Sequence, residues 1–261
     1  MDVFSAMLSP CCRGPWQVVR RTTQCCVCHQ DLGVRDGFFD LAGGCAPLPD
    51  GLMQSLWESR PGAAIYGPLR TGIEAFLARR VTDSATEAVL LKNFLDPRPE
   101  DAILNLGCGD GRHVETLLGS LPAASMACVD VSEPMLRAAD RRIPAELRER
   151  CLLVRASGFD LPIEDESIDR AFSIAMLHLL PDPVPLLREV RRILRPGGVF
   201  VFTAFLKGSV TGHPAVSAAM KRFLGVHFDS QRDVLRMVSE GGFREPEMAV
   251  LHPLAMVRVV R

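Results

Sequence analysis

The clearest chemical pattern in this chain of 261 residues is formed by three glycines and an aspartate. Gly107, Gly109 and Gly111 follow a short apolar run, and glycines at this spacing let the backbone turn tightly and bring its amide groups close to a ligand. Asp130 stands nineteen residues after Gly111, where a carboxylate can accept hydrogen bonds from two ribose hydroxyls. The arrangement predicts a nucleoside pocket. It disfavours a dinucleotide, because the turn lacks the G-x-x-G ending that seats a pyrophosphate.

Cysteines are the second group of candidate ligands. Six of the nine lie in the first 45 residues, at positions 11, 12, 25, 26, 28 and 45. The start of the chain does not match a secretory signal, in which a positively charged end precedes the apolar stretch. We therefore expect a reducing, cytoplasmic environment, in which clustered cysteines indicate a metal site or reduced thiols more than disulfides.

The elements that position these residues follow from the hydrophobic pattern. After Pro97 and Pro99, short apolar runs alternate with helical stretches, which is typical of βαβ units in a doubly wound α/β fold. The predicted strands are Ala102–Leu106, Ser125–Asp130, Cys151–Arg155, Arg170–Ile174, Val199–Ala204, 245–251 and 254–260. The predicted helices are Arg70–Phe94, 111–120, 133–142, 183–194, 214–224 and 230–240. Residues 1–60 show no sustained period, so we expect a small irregular Cys-rich module there, followed by a second domain over residues 61–261.

Composition excludes several classes of protein. The 48% of hydrophobic residues and the net charge of −1 argue against a disordered chain. The balance of 30 Lys and Arg against 31 Asp and Glu also disfavours a nucleic-acid partner, although a local basic face could still bind one. No run approaches the roughly 20 apolar residues that a membrane span requires.

Five segments of the chain resemble, in order, the motifs of class I S-adenosylmethionine-dependent methyltransferases. The segments are Ile103–Gly111, Val129–Leu136, Leu161–Asp169, Leu177-His178 and Leu187–Gly198. The resemblance spans about residues 64–250 and is greatest to the ubiquinone/menaquinone-type enzymes and their small-molecule relatives. It implies a Rossmann-like sheet of seven strands, S-adenosylmethionine as cofactor and a small-molecule substrate.

The resemblance also implies which residues bind the cofactor. They are Gly107, Cys108, Gly109, Gly111, Asp130, Val131, Met135, Ser157, Gly158, Phe159, Ala175 and Met176. The glycine turn would line the methionine and ribose portion, and Asp130 would bind the ribose hydroxyls. The residues after it would pack on the adenine, residues 157–159 would close over it, and residues 175–176 would face the sulfonium. Two positions depart from the family pattern: Asn105 and Ser157 stand where aspartate is common, and a serine hydroxyl can still accept a hydrogen bond from adenine.

Methyl transfer from a sulfonium is an in-line displacement, so the arrangement of the reactants dominates catalysis. Effective molarity supplies about 7–11 kcal/mol in such reactions, more than the roughly 10²–10⁴-fold of a general base. The motifs therefore do not require a catalytic residue. If a base exists, His178 is our candidate, with a role in bracing its loop as the alternative. Tyr66, the single tyrosine, is a second candidate for contact with cofactor or substrate, or else a lid aromatic.

A narrower resemblance concerns the rRNA guanine-N1 methyltransferases, which carry an N-terminal zinc module before the same fold. It rests on Cys25-x-x-Cys28 followed by Asp36–Leu41, on Leu52-Met-Gln with Tyr66–Ile73, and on Arg155–Pro162. RNA methylation is therefore the alternative to a small, apolar metabolite as substrate, and a cofactor-binding scaffold without catalysis is a third hypothesis. The near-neutral charge favours the small molecule.

Zinc is the metal that the C-x-x-C pair indicates. A structural zinc ion takes four Cys or His ligands in a tetrahedron, and the second pair is not recognisable here. Our candidate ligands are Cys25, Cys28, Cys45 and Cys12, beside Cys11 and His29. A module that has lost its metal, or a tail of reduced thiols, would explain the same residues.

Overall fold

The computed structural model describes residues 2–9, 12–19, 22–29, 31–35, 37–41, 84–208, 211–224, 226–251 and 253–261. Its strands are β1 Trp16–Val19, β2 Thr22–Cys25, β3 Asp31–Arg35, β4 Phe38–Asp40, β5 Ala102–Leu106, β6 Ser125–Asp130, β7 Cys151–Arg155, β8 Ile168–Ser173, β9 Leu194–Phe205, β10 Arg244–Leu251 and β11 Leu254–Val260. Its α-helices are α1 Ser84–Leu95, α2 Arg112–Leu118, α3 Glu133–Arg142, α4 Val184–Ile193, α5 Pro214–Leu224 and α6 Gln231–Glu240. Two short 3₁₀ helices lie at Ala145–Arg150 and Leu177–Leu179.

Strand β5 lies inside the sheet, and because both faces of the sheet are covered there, its side chains are buried. It pairs in parallel with β6 on one side and with β8 on the other, so that Leu104 lies between Ala127 and Ala171. The sheet continues in the order β7-β6-β5-β8-β9-β11-β10, in which β11 runs antiparallel to both β9 and β10. The predicted seven-stranded α/β sheet is thereby confirmed, and the bounds of β5, β6 and β7 match the prediction.

The order of the strands creates a crevice at one edge of the sheet. From β5 the chain winds outward through β6 and β7, then returns to β8 on the other side of β5. Parallel sheets bind ligands outside the carboxyl ends of their strands at such a switch point. The glycine turn and Ala175 follow strands at this edge, and Asp130 is the last residue of β6.

Helices cover both faces of the sheet. On one face, α4 and α6 contribute Leu187, Val190 and Val238 to a core that includes Phe200 and Phe202. On the other face, apolar residues of α1, α2 and α3 pack against Phe172 and Met126. The predicted helix over 70–94 is observed from Ser84 onward, and residues 70–83 lie outside the described part of the chain. None of the described helices is long and apolar enough to cross a membrane.

Strand β9 begins five residues earlier than predicted. Leu194 pairs with Ile168, so extended structure starts directly after α4 and includes Pro196. Gly197 has a φ of +77°, in the left-handed region that favours glycine.

The described part of the N-terminal segment, up to Leu41, is not irregular, and the prediction of an irregular module was wrong there. Strands β1 to β4 form successive antiparallel pairs, and β4 adds to the outer edge of β7 in parallel, with Phe39 opposite Val154. Phe38 is fully buried on the α3 side of the sheet, and Asp40 forms an ion pair with Arg155 at 3.3 Å. These strands have three to five residues each, too few for a period to show in the sequence. The expected boundary near residue 60 lies outside the described residues.

Candidate active site

The glycine turn after β5 is held against β6 by its backbone. The N–H groups of Gly107 and Cys108 both donate to the carbonyl oxygen of Val129, at 2.8 and 3.1 Å. A Cβ atom at Gly107, which has a φ of +69°, would lie 2.8 Å from Cγ of Met176. The turn therefore brings bare backbone to the crevice at a point where a side chain would fill the space.

Asp130 is fixed by hydrogen bonds to two backbone amides. Its Oδ2 accepts the N–H of Gly109 at 2.8 Å, and its Oδ1 accepts the N–H of Ser132 at 2.9 Å. Burial raises the pKa of the Asp130 carboxyl, whereas the N–H groups of Ser132, Gly109 and Val131 act in the opposite direction. Because a carboxylate offers about four lone-pair positions, each oxygen can still accept a hydroxyl of a ligand.

The residues expected around the adenine lie at the ends of β6 and β7. Ser132 caps α3, which places Val131 before the helix and Met135 in its first turn. Met135 is buried and Val131 is half-buried. The hydroxyl of Ser157 accepts the N–H of Phe159 at 3.2 Å, so it shapes the loop that was expected to close over the adenine.

The loop after β8 lies across from the glycine turn. Ala175 has a φ of +58°, which is uncommon for a residue other than glycine, and its N–H donates to Oγ1 of Thr203 at 2.7 Å. This hydrogen bond positions Met176 beside Gly107. Sequence analysis did not identify Thr203, and the one available signal was a hydroxyl in an otherwise apolar strand.

His178 borders a cleft beyond this loop, whereas Tyr66 lies outside the described residues. The imidazole of His178 is buried and packs edge-on against Phe205, with ring centroids 4.3 Å apart. The cleft has a volume of 120 Å³, and its lining includes His178, Leu180, Ala204, His227, Asp229 and Met237.

His227 and Asp229 are polar residues of this cleft that sequence analysis did not assign. Burial, together with the charge of Lys221, lowers the pKa of His227. Burial and the nearby charge of Asp233 raise the pKa of Asp229. The cleft thus contains a histidine biased toward its neutral form and a carboxyl biased toward protonation.

Cys108 faces the core of the sheet as part of a buried row of thiols. The Sγ atoms of Cys128 and Cys151 lie 3.6 Å apart, and Nδ2 of Asn105 lies 3.9 Å from Sγ of Cys128. The hydrogen bond with Cys108, together with burial, holds the pKa of Cys128 well above its usual value. The hydrogen bond with Cys128 and burial do the same for Cys151. These thiols therefore remain protonated, and Asn105 serves the core in the middle of β5.

Three of the four predicted zinc ligands lie together. The Sγ atoms of Cys12, Cys25 and Cys28 are within 4.8 Å of one another, whereas Cys45 lies outside the described residues. Cys11 is also outside them.

Comparisons with known proteins agree with the fold. A family model described as "Methyltransferase domain" matches residues 104–202, from β5 into β9. The chain is 32% identical over 125 residues to the 27-O-demethylrifamycin SV methyltransferase of Amycolatopsis mediterranei, covering 44% of this chain and 43% of that protein. It is 32% identical over 173 residues to the malonyl-[acyl-carrier protein] O-methyltransferase of Halorhodospira halophila, covering 66% and 57% of the two chains. The chain spans 35% to 43% of the length of the first three curated relatives that it matches.

A solved structure gives the same result for the fold. Phosphoethanolamine N-methyltransferase 2 of Haemonchus contortus, determined in complex with S-adenosyl-L-methionine, superposes with a TM-score of 0.64 at 15% identity. The superposition covers 82% of this chain and 61% of that one. Residues 104–202 thus match a methyltransferase domain, and the sheet around them has the fold of that solved methyltransferase.

Proposed function

We propose that this chain transfers a methyl group from S-adenosylmethionine to a small molecule. The observation that carries the proposal is the joint position of the glycine turn and the Asp130 carboxylate at the switch point of the sheet. Open backbone at Gly107 and spare acceptor positions on Asp130 suit the cofactor's methionine and ribose portions. Val131 and Met135 present apolar surface for the adenine.

When bound, the cofactor supplies an electrophilic methyl group on its sulfonium. The chain's own part is then to hold and orient. Asp130 would bind the ribose hydroxyls, and the loop of Ala175 and Met176 would face the reacting end. Because alignment contributes most of the acceleration in such a displacement, His178 would act chiefly by positioning the acceptor or by accepting its proton.

The cleft next to this loop is our candidate acceptor site. Its lining combines apolar side chains with the polar residues His178, His227, Asp229 and Asp233. This composition suits an apolar small molecule with one polar group, in line with the resemblance to ubiquinone/menaquinone-type enzymes. Two relatives are named for O-methylation or for an O-demethylated compound, so an oxygen acceptor is the first class to test.

Methylation of a guanine in rRNA is the second candidate, and one observation favours it. A cluster of cysteines precedes the methyltransferase domain, as the resemblance to the rRNA enzymes requires. The balanced charge of the whole chain stands against this candidate. As part of the proposal, residues 1–60 form an N-terminal module whose strand β4 extends the sheet, and residues 61–261 form the catalytic domain.

Calorimetry with S-adenosylmethionine tests the cofactor site. Asp130→Ala should weaken binding by about 10- to 100-fold, since hydrogen bonds to a charged group contribute about 1.5–3 kcal/mol. Glu149→Ala removes an exposed carboxylate outside the crevice and should leave the affinity unchanged. Normal affinity in the Asp130 variant would overturn the assignment.

Labelled cofactor then tests the acceptor. The protein is incubated with a fractionated metabolite extract and, separately, with undermethylated ribosomes. Label in a small molecule supports the proposal, and label in RNA establishes the second candidate instead. Tight cofactor binding without transfer to either acceptor would support the scaffold hypothesis.

A further inference from the structure

Two turns in the N-terminal segment have the same shape. The N–H of Arg13 donates to the carbonyl oxygen of Ser9 at 2.9 Å, and the N–H of His29 donates to that of Cys25 at 3.0 Å. Arg13 and His29 end these turns with φ values of +53° and +58°, a left-handed conformation that few residues other than glycine adopt. Two turns with the same uncommon backbone conformation indicate that both serve one site.

The side-chain sulfur and oxygen atoms of the two turns lie close to one another. Each turn carries a polar side chain at its first and fourth positions: Ser9 and Cys12 in one, Cys25 and Cys28 in the other. The three Sγ atoms lie within 4.8 Å of one another, and the hydroxyl of Ser9 donates to Sγ of Cys25 at 3.1 Å. Antiparallel pairing of β1 with β2 holds the turns together, with Trp16 opposite Cys25.

We propose that this cluster binds one zinc ion through Cys12, Cys25 and Cys28, with Ser9 at the fourth corner. Zinc–sulfur bonds of about 2.3 Å in a tetrahedron place sulfur atoms about 3.8 Å apart, which is compatible with three Sγ atoms that lie within 4.8 Å of one another. Soft thiolate ligands select zinc over magnesium or calcium. The sequence predicted Cys45 as the fourth ligand, but Cys45 lies outside the described residues; among the described residues, we assign the fourth position to Ser9, which contacts Cys25.

Burial and access suit such a site. Ser9 and Cys25 are fully buried, whereas Cys12 and Cys28 are exposed and give an ion a route from solvent. The N–H of Val27 donates to Sγ of Cys25 at 3.4 Å, which holds this sulfur atom in place within its turn. Binding deprotonates the three thiols, so protons are released as the three metal–sulfur bonds form. The serine hydroxyl, or a water that it holds, completes the coordination.

The proposed site joins the N-terminal segment to the catalytic fold. The first turn is anchored to the segment that follows loop 157–159. The N–H of Leu8 donates to the carbonyl oxygen of Pro162 at 2.7 Å, and Arg13 forms an ion pair with Asp160 at 3.0 Å. The second turn leads through β3 into β4, which pairs with β7. An ion held between the turns would therefore brace two separate attachments to the same sheet.

Metal analysis of protein purified under reducing conditions without chelator tests the proposal directly. We expect about one zinc per chain in the wild type and in Cys26→Ser, a matched control in the same turn that lies outside the cluster. Cys28→Ser should lose the ion. Wild-type protein without metal that also takes up none on titration with zinc would overturn the site, as would equal loss in both variants.

If Cys28→Ser fails to fold, a second variant, Ser9→Cys, tests the proposal with cobalt bound in place of zinc. The thiolate-to-cobalt charge-transfer band grows with the number of sulfur ligands, so completing a four-thiolate site should raise it by about one third. The variant should also retain zinc against a chelator at concentrations that strip the wild type. An unchanged band in Ser9→Cys would remove Ser9 from the fourth corner.

Discussion

The carboxylate of Asp130 accepts the backbone N–H of Gly109 at 2.8 Å, which joins the end of β6 to the turn after β5. The same side chain that should bind the ribose therefore also shapes the loop beneath the cofactor. Binding and stability are coupled at this residue, and they can be measured separately.

Asp130→Ala should destabilise the protein even without cofactor. The substitution leaves the N–H groups of Gly109 and Ser132 without their acceptor, and an unsatisfied buried donor costs about 1–3 kcal/mol. Urea unfolding of the cofactor-free protein measures this loss, with Glu149→Ala as the control. Equal unfolding free energies for the wild type and the Asp130 variant would show that the carboxylate does not support the turn.

Gly107→Ala should be more disruptive than Gly197→Ala. Both glycines have positive φ, but a Cβ at Gly197 meets nothing within 4 Å, whereas at Gly107 it would lie 2.8 Å from Met176. Gly197→Ala should therefore show backbone strain alone, about 1–2 kcal/mol, and keep the cofactor affinity. Gly107→Ala should add a steric penalty and weaken cofactor binding, and Met176→Ala in the same chain should relieve part of that penalty. Equal unfolding free energies for the two alanine variants would contradict the expected close packing.

Thr203→Val should loosen the loop at the reacting end of the site. Valine keeps the shape of threonine but cannot accept the N–H of Ala175, which is held at 2.7 Å from Oγ1. We expect a loss of about 1–3 kcal/mol in stability, faster hydrogen exchange at Ala175 and a lower kcat. Thr203→Ser retains the acceptor and should behave like the wild type. If the serine variant loses as much activity as the valine variant, the hydroxyl is not what positions the loop.

The stability of the protein should fall in mild acid because of His227. Burial lowers the pKa of this imidazole in the folded state, so below its unfolded value of 6.5 the unfolded chain binds the proton more readily. The contribution is complete above pH 6.5 and is lost as the pH falls toward the folded pKa. Urea unfolding from pH 8 to pH 5 should show this slope reduced in His227→Gln. The control variant His213→Gln, at an exposed position, should keep it, and a slope that persists in His227→Gln would assign it to other groups.

The central strands could be predicted from the sequence because each is marked by its own short run of apolar residues. Ala102–Leu106 is buried at each of its five positions, so an uninterrupted apolar run marks the strand without any knowledge of its neighbours. Strand β4 contains one fully buried residue, Phe38, and is defined by its pairing with β7, about 115 residues away in the chain. Such a strand cannot be predicted from its own residues.

The same distinction applies to the sites. The glycine turn and Asp130 have a fixed spacing within one βαβ unit, and in the structure the N–H of Gly109 donates to Asp130. Thr203 acts on Ala175 across two strands, and Ser9 meets Cys25 only because two turns share an uncommon backbone. A single hydroxyl residue forms no recognisable sequence motif, so Thr203 and Ser9 could be identified only from the structure.

The pairing of β4 with β7 also protects the protein from self-association. Strand β7 is apolar and almost fully buried over its first four residues, and an uncovered strand of this kind is a template for another chain. The N-terminal strands move the end of the described sheet out to β1, a strand of only four residues. A chain shortened to begin after Leu41 would expose the backbone of β7, and we expect it to aggregate during refolding even if its cofactor crevice remained intact.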